Sequence, residues 1–428
     1  MSSQAQNRNL WDCFSGMPTE MQIAILQHLP KRRLVLFAQL NNRCFDLAIE
    51  VRWKDAELSA LTQVPSRNGR RQTYANHVRT LRVGQISSET SSSVLALNFP
   101  KLRSLKNVNI TRCDATALHL VRHFAQLNRI LDLEMLSSQW VPETFIGEVR
   151  NFSHLKRLDI DFALGSSLDL VPQNAISWPN LEHALVRFGR GRPPGSLVQD
   201  FRKCPALEKL ELKTEQLPRL ILLEPSVASG AAGFEALRHL NIRISHHTVI
   251  QGISRLTDLT SLTIDLGDTV NLPPTSFSQL AKLRDLESLS LTSTRQPSLH
   301  PLFDREVEQS DILDLIRHLG KLDYFSWNLE SVVDTHGLIE GIARLQTNLQ
   351  KTYLGFAVQI PDVFERKDVT IKTQKSLQVL RVRNTLFDTH LPDHAVRDVA
   401  ARTVKTLFPS LKVFEVEAEG SIEHWGSL

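Results

Sequence analysis

Few side chains in this sequence have the types and spacing that do chemistry. In LDIDF (158–162), Asp159 and Asp161 alternate with apolar residues and share one face of an extended strand. That spacing is open to a metal or to an acid–base carboxylate pair, but the repeat described below already accounts for it. His390 and His394 bracket LPD at the i, i+4 spacing of a helical ligand pair, yet neither the glutamate nor the third ligand of a zincin accompanies them. His246 and His247 stand apart from other ligating residues. GRGRPPG (189–195) is glycine-containing, but its paired prolines make it an insertion loop and not a phosphate-binding strand-to-helix turn. Cys13, Cys44, Cys113 and Cys204 include no Cys-x-x-Cys pair, which argues against a zinc site or a disulfide framework. No nucleophile elbow, Walker motif or Cys/His triad stands out. The expectation is a protein that is not an enzyme and holds no cofactor or metal.

Composition narrows the class further. The chain has 428 residues, with 42% hydrophobic and 22% charged, as in ordinary soluble globular proteins. Fifty basic against 46 acidic residues leave a formal charge of +4, far from a nucleic-acid-binding surplus. The clusters KRR (31–33) and RNGRR (67–71) can be read as nuclear signals, but short basic clusters are usually solvated surface. The polar start MSSQAQNRNL lacks a signal-type apolar core, and no run approaches the roughly 20 apolar residues of a membrane span. The expectation is a cytoplasmic or nuclear protein that binds neither nucleic acid nor membrane.

The elements that would position any site come from a repeat. FPKL (99–102), FSHL (152–155), WPNL (178–181), CPAL (204–207), FEAL (234–237) and FPSL (408–411) all end in leucine. An apolar residue follows three positions later and another two beyond that, as in LKRLDI, LEKLEL, LRHLNI and LESLSL. The first apolar positions are Val78, Leu105, Ile130, Leu155, Leu181, Leu207, Leu237, Leu259, Leu286, Leu322, Leu349, Leu377 and Leu411, with a mean spacing of about 28 residues. Apolar residues two apart face one side of a short strand, and stacked strands share one core. DILDLIRHLG (311–320), read with caps at Ser310 and Gly320, and HAVRDVAARTVKTLF (394–408) have helical spacing and supply the returns. The predicted fold is α/β: a curved leucine-rich-repeat solenoid of ribonuclease-inhibitor type, with a parallel sheet on its concave side. It spans residues 76–419 in about thirteen units. A disordered N-terminus (1–11), a linker (62–75) and a C-terminal tail (420–428) complete the division.

Residues 12–61 have a different rhythm. MPTEMQIAILQHLP (17–30) places Met21, Ile25 and Leu29 along one helical line, with Leu26 beside them and Ile23 nearly opposite Met21. That apolar arc is wider than one core-facing stripe needs. Apolar stretches at Leu34–Leu40 and Arg43–Val51 follow. Three short helices make a domain too small to be stable without a neighbour or partner.

The head resembles an F-box. Met17-Pro18-Thr19-Glu20 stands for the family's Leu-Pro-x-Glu start, and Ile25, Leu26 and Leu29 match its next apolar positions. Leu40-Asn41-Asn42-Arg43-Cys44-Phe45 loosely matches the stretch ending the second helix. Trp53 then leads through KDAEL into the repeats, an arrangement similar to fungal F-box proteins with degenerate leucine-rich repeats. Met17, Asn41 and Cys44 depart from the family pattern.

The resemblance implies a substrate receptor of an SCF-type cullin–RING ubiquitin ligase. The head would bind an adaptor of the S-phase-kinase-associated type and, through it, the cullin. By match to the motif, Met17, Pro18, Ile23, Ile25, Leu26, Leu29, Leu34, Leu36, Phe37 and Leu40 divide between the head's core and the adaptor surface. Pro18 and Leu26 are expected on the adaptor side. The repeats would hold an unidentified protein substrate on the concave face. Substrate-contacting candidates there are Asp159, Asp161, Lys209, Lys213, His239, Arg243, Tyr324, Tyr353, Arg381 and Arg383. The alternative is a leucine-rich interaction scaffold working outside a ubiquitin ligase, its head only a cap.

Overall fold

The computed structural model describes residues 13–65, 69–85, 92, 94–109, 115–127, 129–140, 143–164, 178–190, 201–214, 234–244, 246–267, 272–293, 308–329, 335–345, 348–357, 375–384, 401–402, 404–418 and 421–427. The stretches read as a disordered N-terminus and the His390/His394 pair lie outside these residues, as does Cys113. The chain forms two compact units, residues 1–164 with 177–180, and residues 165–176 with 181–428.

The first unit starts with the helical head. After a helical turn at residues 13–16 come α1 (Thr19–Gln27), α2 (Lys31–Ala38) and α3 (Asn42–Trp53). Pro18 and Pro30 are the N-cap residues of α1 and α2, with φ −52° and −56° in the extended region, so each proline stops one helix and admits the next. Asn41 caps α3: its Oδ1 accepts from the Cys44 N–H at 2.9 Å. The asparagine that departs from the family pattern is therefore the residue type an N-cap favours.

The sheet of this unit begins earlier than the sequence suggests. β1 (Asp55–Glu57) lies within residues read as head and pairs in parallel with β2 (Thr80–Gln85). Between them, α4 (Leu58–Gln63) runs from the residues read as head into the stretch assigned to a linker, and α5 (Arg70–Ala75) lies within that stretch. β3 (Ser104–Asn109), β4 (Asp132–Trp140) and β5 (Arg157–Leu164) continue the parallel order. Their return helices are α6 (Ala115–Gln126) and α7 (Glu143–Val149). In α6 the buried positions are Ala117, Leu120, Val121, Phe124 and Ala125, the i, i+3, i+4, i+7, i+8 stripe of a helix laid on a core.

Two corrections to the repeat register follow. Leu81 pairs with Leu105, so the counterpart of Val78 is Leu102, not Leu105. Both leucines are buried, and two leucines three apart satisfy the same pattern in either register. Ala56 pairs with Leu81, which puts Trp53 at the equivalent position ahead of β1. The exit tryptophan of the head is thus also the first anchor of the repeat lattice.

The second unit contains β6 (His183–Arg190), β7 (Lys209–Thr214), β8 (His239–Ile244), β9 (Ser261–Leu266), β10 (Ser288–Ser293), β11 (Tyr324–Asn328), β12 (Lys351–Ala357), β13 (Val379–Asn384) and β14 (Val413–Ala418), all parallel and in chain order. The returns include α8 (Thr248–Ile253), α9 (Thr275–Leu280), α10 (Gln309–His318) and α11 (Thr335–Arg344). The cap of α10 is Glu308, in a reciprocal capping box with Asp311, and the helix ends at His318. Ser310 lies inside it. The expected C-terminal tail is a strand: β15 (Ser421–Ser427) turns back and pairs antiparallel with β14, covering an edge that would otherwise expose unpaired backbone groups.

The tetrapeptides now have a physical reason. In five of them, an i to i+3 backbone bond closes a turn just before the strand: Leu102 N–H to Phe99 O, Leu155 to Phe152, Leu207 to Cys204, Leu237 to Phe234 and Leu411 to Phe408, at 3.0–3.3 Å. Proline is favoured at the second position of such a turn, and the first residue is buried in each case. Consecutive strands then enter through one recurrent bond pair. Arg103 and Ser104 N–H both donate to Arg79 O, and Thr260 and Ser261 N–H both donate to Arg238 O. Backbone carbonyls link strand entries here without an asparagine ladder.

The head is joined to its repeats by charge. Glu50, buried near the end of α3, accepts from Arg79 Nη2 at 2.7 Å and Lys101 Nζ at 2.9 Å, and meets His77 Nδ1 at 2.7 Å. Trp53 stacks on Tyr74 of α5 with centroids 4.7 Å apart.

Candidate functional site

The first candidate surface is on the head. Its core consists of Leu26, Leu34 and Leu47, with Phe14, Ile23, Leu29, Phe37 and Val51 packed around them. Leu26 is 1% exposed and Leu34 5%, so neither is available to a partner, which corrects the placement of Leu26 on an adaptor-facing side. Met17 is half-buried. Of the ten motif residues, Pro18, Ile25, Leu36 and Leu40 are exposed. Three further exposed apolar residues belong with them: Met21, Val35 and Phe45. Among the described residues, every large hydrophobic side chain classed as exposed lies in the head.

Gln22 decides which line of α1 is buried. It is fully buried, and its Nε2 donates to the carbonyls of Phe14, Ser15 and Met17 at 2.8, 3.2 and 2.9 Å. Arg43 Nη2 donates to its Oε1 at 3.3 Å. The inward line of α1 is therefore Gln22, Leu26 and Leu29, with a polar residue where hydrophobic periodicity expects an apolar one. Met21 and Ile25, one step round the helix, are left in solvent. Gln22→Leu keeps the volume but removes the buried amide that donates to these carbonyls, of which Phe14 O keeps the Met17 N–H. It is expected to destabilise the head by roughly 1–3 kcal/mol, read as faster hydrogen exchange across residues 13–53.

The second candidate surface is the face of each sheet opposite its buried, helix-backed side. Strand residues alternate as predicted: Leu210 and Leu212, Leu240 and Ile242, Leu262 and Ile264 point inward and are buried. In the first unit the outward positions include Asp132, Glu134, Arg157, Asp159 and Asp161. Both Asp159 and Asp161 are half-buried, and among the described residues no group of three ligating side chains forms a metal site.

In the second unit the outward rows are in register. His183, Lys209, His239 and Ser261 form one, Leu185, Glu211, Asn241 and Thr263 the next. Lys209 Nζ reaches Glu211 Oε1 at 2.9 Å and Lys213 Nζ reaches Oε2 at 3.6 Å. Burial works against the ionised carboxylate of Glu211, but the two lysines outweigh it and hold the group below its ordinary range.

At the far end, Tyr353, Arg381 and Glu415 stand side by side on β12, β13 and β14. Arg381 Nε donates to Glu415 Oε2 at 2.6 Å, and the guanidinium lies 5.8 Å from the Tyr353 ring centroid. Glu415 is 7% exposed, so Arg381 is largely committed to a buried partner and less available to a ligand than its sequence position suggested. Nearby, a Cβ on Gly355 would sit 2.1 Å from Asn328 Oδ1, so only glycine lets the asparagine side chain lie across β12. Tyr324 is half-buried, and the side chain of Arg383 lies outside the described residues.

The other chemical candidates dissolve into local structure. His246 and His247 stack at 4.4 Å, with His246 Nδ1 2.8 Å from Thr248 Oγ1 in the turn before α8. Gly189 and Arg190 end β6, and the rest of GRGRPPG lies outside the described residues.

No family model matches the chain, and no curated protein matches it. Among solved structures, an internalin (InlF) from Listeria monocytogenes is similar at 11% identity over 85% of this chain and 93% of its own, with a TM-score of 0.41. The PEPR1–AtPEP1 structure is similar at 13% identity over 73% of this chain and 50% of its own, with a TM-score of 0.34. The α/β repeat fold is established by the strand order and register of the two units.

Proposed function

We propose that this protein is a substrate receptor of an SCF-type ubiquitin ligase, its head binding a small adaptor and its repeats holding a protein substrate. The observation that carries the reading is that, among the described residues, exposed large hydrophobic side chains are confined to the head, where Met21, Ile25, Val35, Leu36, Leu40 and Phe45 are 37–64% exposed. A cap needs only one apolar face, turned to the repeats. Association costs about 4–15 kcal/mol of lost freedom, and each large aliphatic side chain returns roughly 1.5–3 kcal/mol when fully buried, so six partly exposed anchors are in the needed range.

Co-expression with the adaptor and cullin tests the reading. The native chain is expected to recover both, and the Ile25→Asp, Leu36→Asp double variant to lose both while its repeats stay folded. No recovery by the native chain would sink it. The scaffold reading, with the head as a cap, draws on a specific observation: Trp53 and β1 belong to the repeat lattice, and Glu50 ties α3 to Arg79 and Lys101. It would be favoured if the double variant bound every partner as well as the native chain.

A further inference from the structure

The start of α2 is built against its own stability. Lys31, Arg32 and Arg33 fill its first turn, all three exposed, at the end of the helix where the backbone dipole favours anions and opposes cations. That turn holds no acidic residue, and its N-cap, Pro30, brings no side chain that could accept from the free N–H groups. No described residue gives these three side chains a hydrogen bond or an ion pair. The exposed acids of residues 13–53, Glu20 and Asp46, lie on α1 and α3 and likewise form no ion pair among the described residues. Glu50 is buried and held by His77, Arg79 and Lys101. Folding by itself would favour acids where the three cations stand.

Helical spacing joins the cations to the apolar patch. Residues four apart are neighbours on a helix surface, so Lys31 stands one turn before Val35 and Arg32 one turn before Leu36. Val35 and Leu36 are 55% and 57% exposed. One face of α2 therefore runs from charge into hydrocarbon without a break. An anionic membrane would match the charge, but the exposed apolar residues are spread from α1 to α3 of a packed head. A bilayer surface is served by one long apolar face on a single amphipathic helix, which α2 does not offer.

We infer that the partner seated on the head is a protein with an acidic margin, its carboxylates facing Lys31, Arg32 and Arg33 while its apolar side chains cover Val35 and Leu36. Charges at the rim of an interface act chiefly on encounter. The cluster thus sets the association rate and its salt dependence, and the apolar anchors set the residence time. The inference deepens the receptor reading and rests on it in taking the head's exposed apolar side chains as the adaptor contact.

Stopped-flow association of the full chain with the purified adaptor, followed from low to high salt, tests it. The native association rate is expected to fall about tenfold across that range. Replacing Lys31, Arg32 and Arg33 together by Gln should lower the low-salt rate about tenfold and flatten the salt dependence, with dissociation changed less than about twofold. The same variant should melt no lower than the native chain, since it relieves the unfavourable charges at the start of α2. Arg32→Gln alone should slow association about threefold, which keeps the test decisive if the triple variant folds poorly. Lys282→Gln, which removes one charge from the turn after α9, should match the native chain. Adaptor binding whose rate ignores both salt and the triple variant overturns the inference and leaves the receptor reading standing. No adaptor binding by the native chain overturns the receptor reading and this inference with it. Co-sedimentation with phosphatidylserine vesicles, lost in the triple variant while its adaptor binding is unchanged, would overturn the inference in favour of a membrane surface.

Discussion

Leu26→Ala is expected to destabilise the head by about 2–5 kcal/mol, while Ile25→Ala beside it changes stability by less than about 0.5 kcal/mol. The two residues are neighbours in sequence and alike in size, but Leu26 is 1% exposed and Ile25 43%. Truncating Leu26 leaves a cavity between α1 and the helices carrying Leu34 and Leu47. A core built on three buried leucines has little capacity to absorb such a loss. Hydrogen exchange across α1–α3 reads this directly, since repeat amides distant from the head act as an internal reference. The same pair separates folding from binding. Ile25→Asp should leave exchange unchanged and abolish adaptor recovery, whereas Leu26→Ala should lose recovery only because the head opens. Equal exchange in the Leu26 and Ile25 variants would contradict the assignment of the core.

Glu50→Ala is expected to cost about 2–3 kcal/mol and to loosen the junction of α3 with the first repeats, leaving the head's own core intact. The buried carboxylate serves three partners within 2.7–2.9 Å, and no other described residue replaces it. Arg79 and Lys101 are about half exposed and can return to water, which holds the cost below that of stranding a fully buried cation.

The pH dependence follows from the same contacts. Burial alone would raise the pKa of Glu50, but His77, Lys101 and Arg79 overcome it and bring the group from an ordinary 4.5 down to about 2. A carboxylate with a depressed folded-state pKa contributes stability that is fully present above its unfolded value. That stability is lost as pH falls through the folded value. The window is therefore pH 4.5 down to about 2, and the contribution lost across it is about 3 kcal/mol. Denaturation monitored at descending pH should show the native chain losing this increment. The Glu50→Ala chain should lack it, and parallel acid profiles for the two would contradict the role given to Glu50.

Much of the repeat was legible because its signal is redundant. The apolar anchors recur about every 28 residues, and twelve of the thirteen chosen from sequence occupy equivalent positions before a strand. The exception, Leu105, failed for a local reason: Leu102 and Leu105 are both apolar and three apart, and only the pairing of Leu81 with Leu105 distinguishes them. Outward residues such as Lys209, Lys213 and His239 were legible for the same reason, since a period of two puts them opposite the leucines. What each does on that face was not. The commitment of Arg381 to a buried Glu415 depends on a neighbour 34 positions away in the chain. The in-register row of His183, Lys209 and His239 exists only once the strands are aligned.

The sequence by itself determined that the chain is a strand-and-return repeat behind a small helical head, because the period and the inward alternation are properties of local spacing. Only the tertiary structure decided which side of the head's first helix is core. MQIAILQHL (21–29) offers an apolar arc wide enough to bury either Met21 and Ile25 or Leu26 and Leu29. The choice falls to Gln22, whose amide must find the carbonyls of Phe14, Ser15 and Met17 once it is taken out of water. Turning that polar side chain inward carries Leu26 into the core with it and leaves Met21 and Ile25 on the surface.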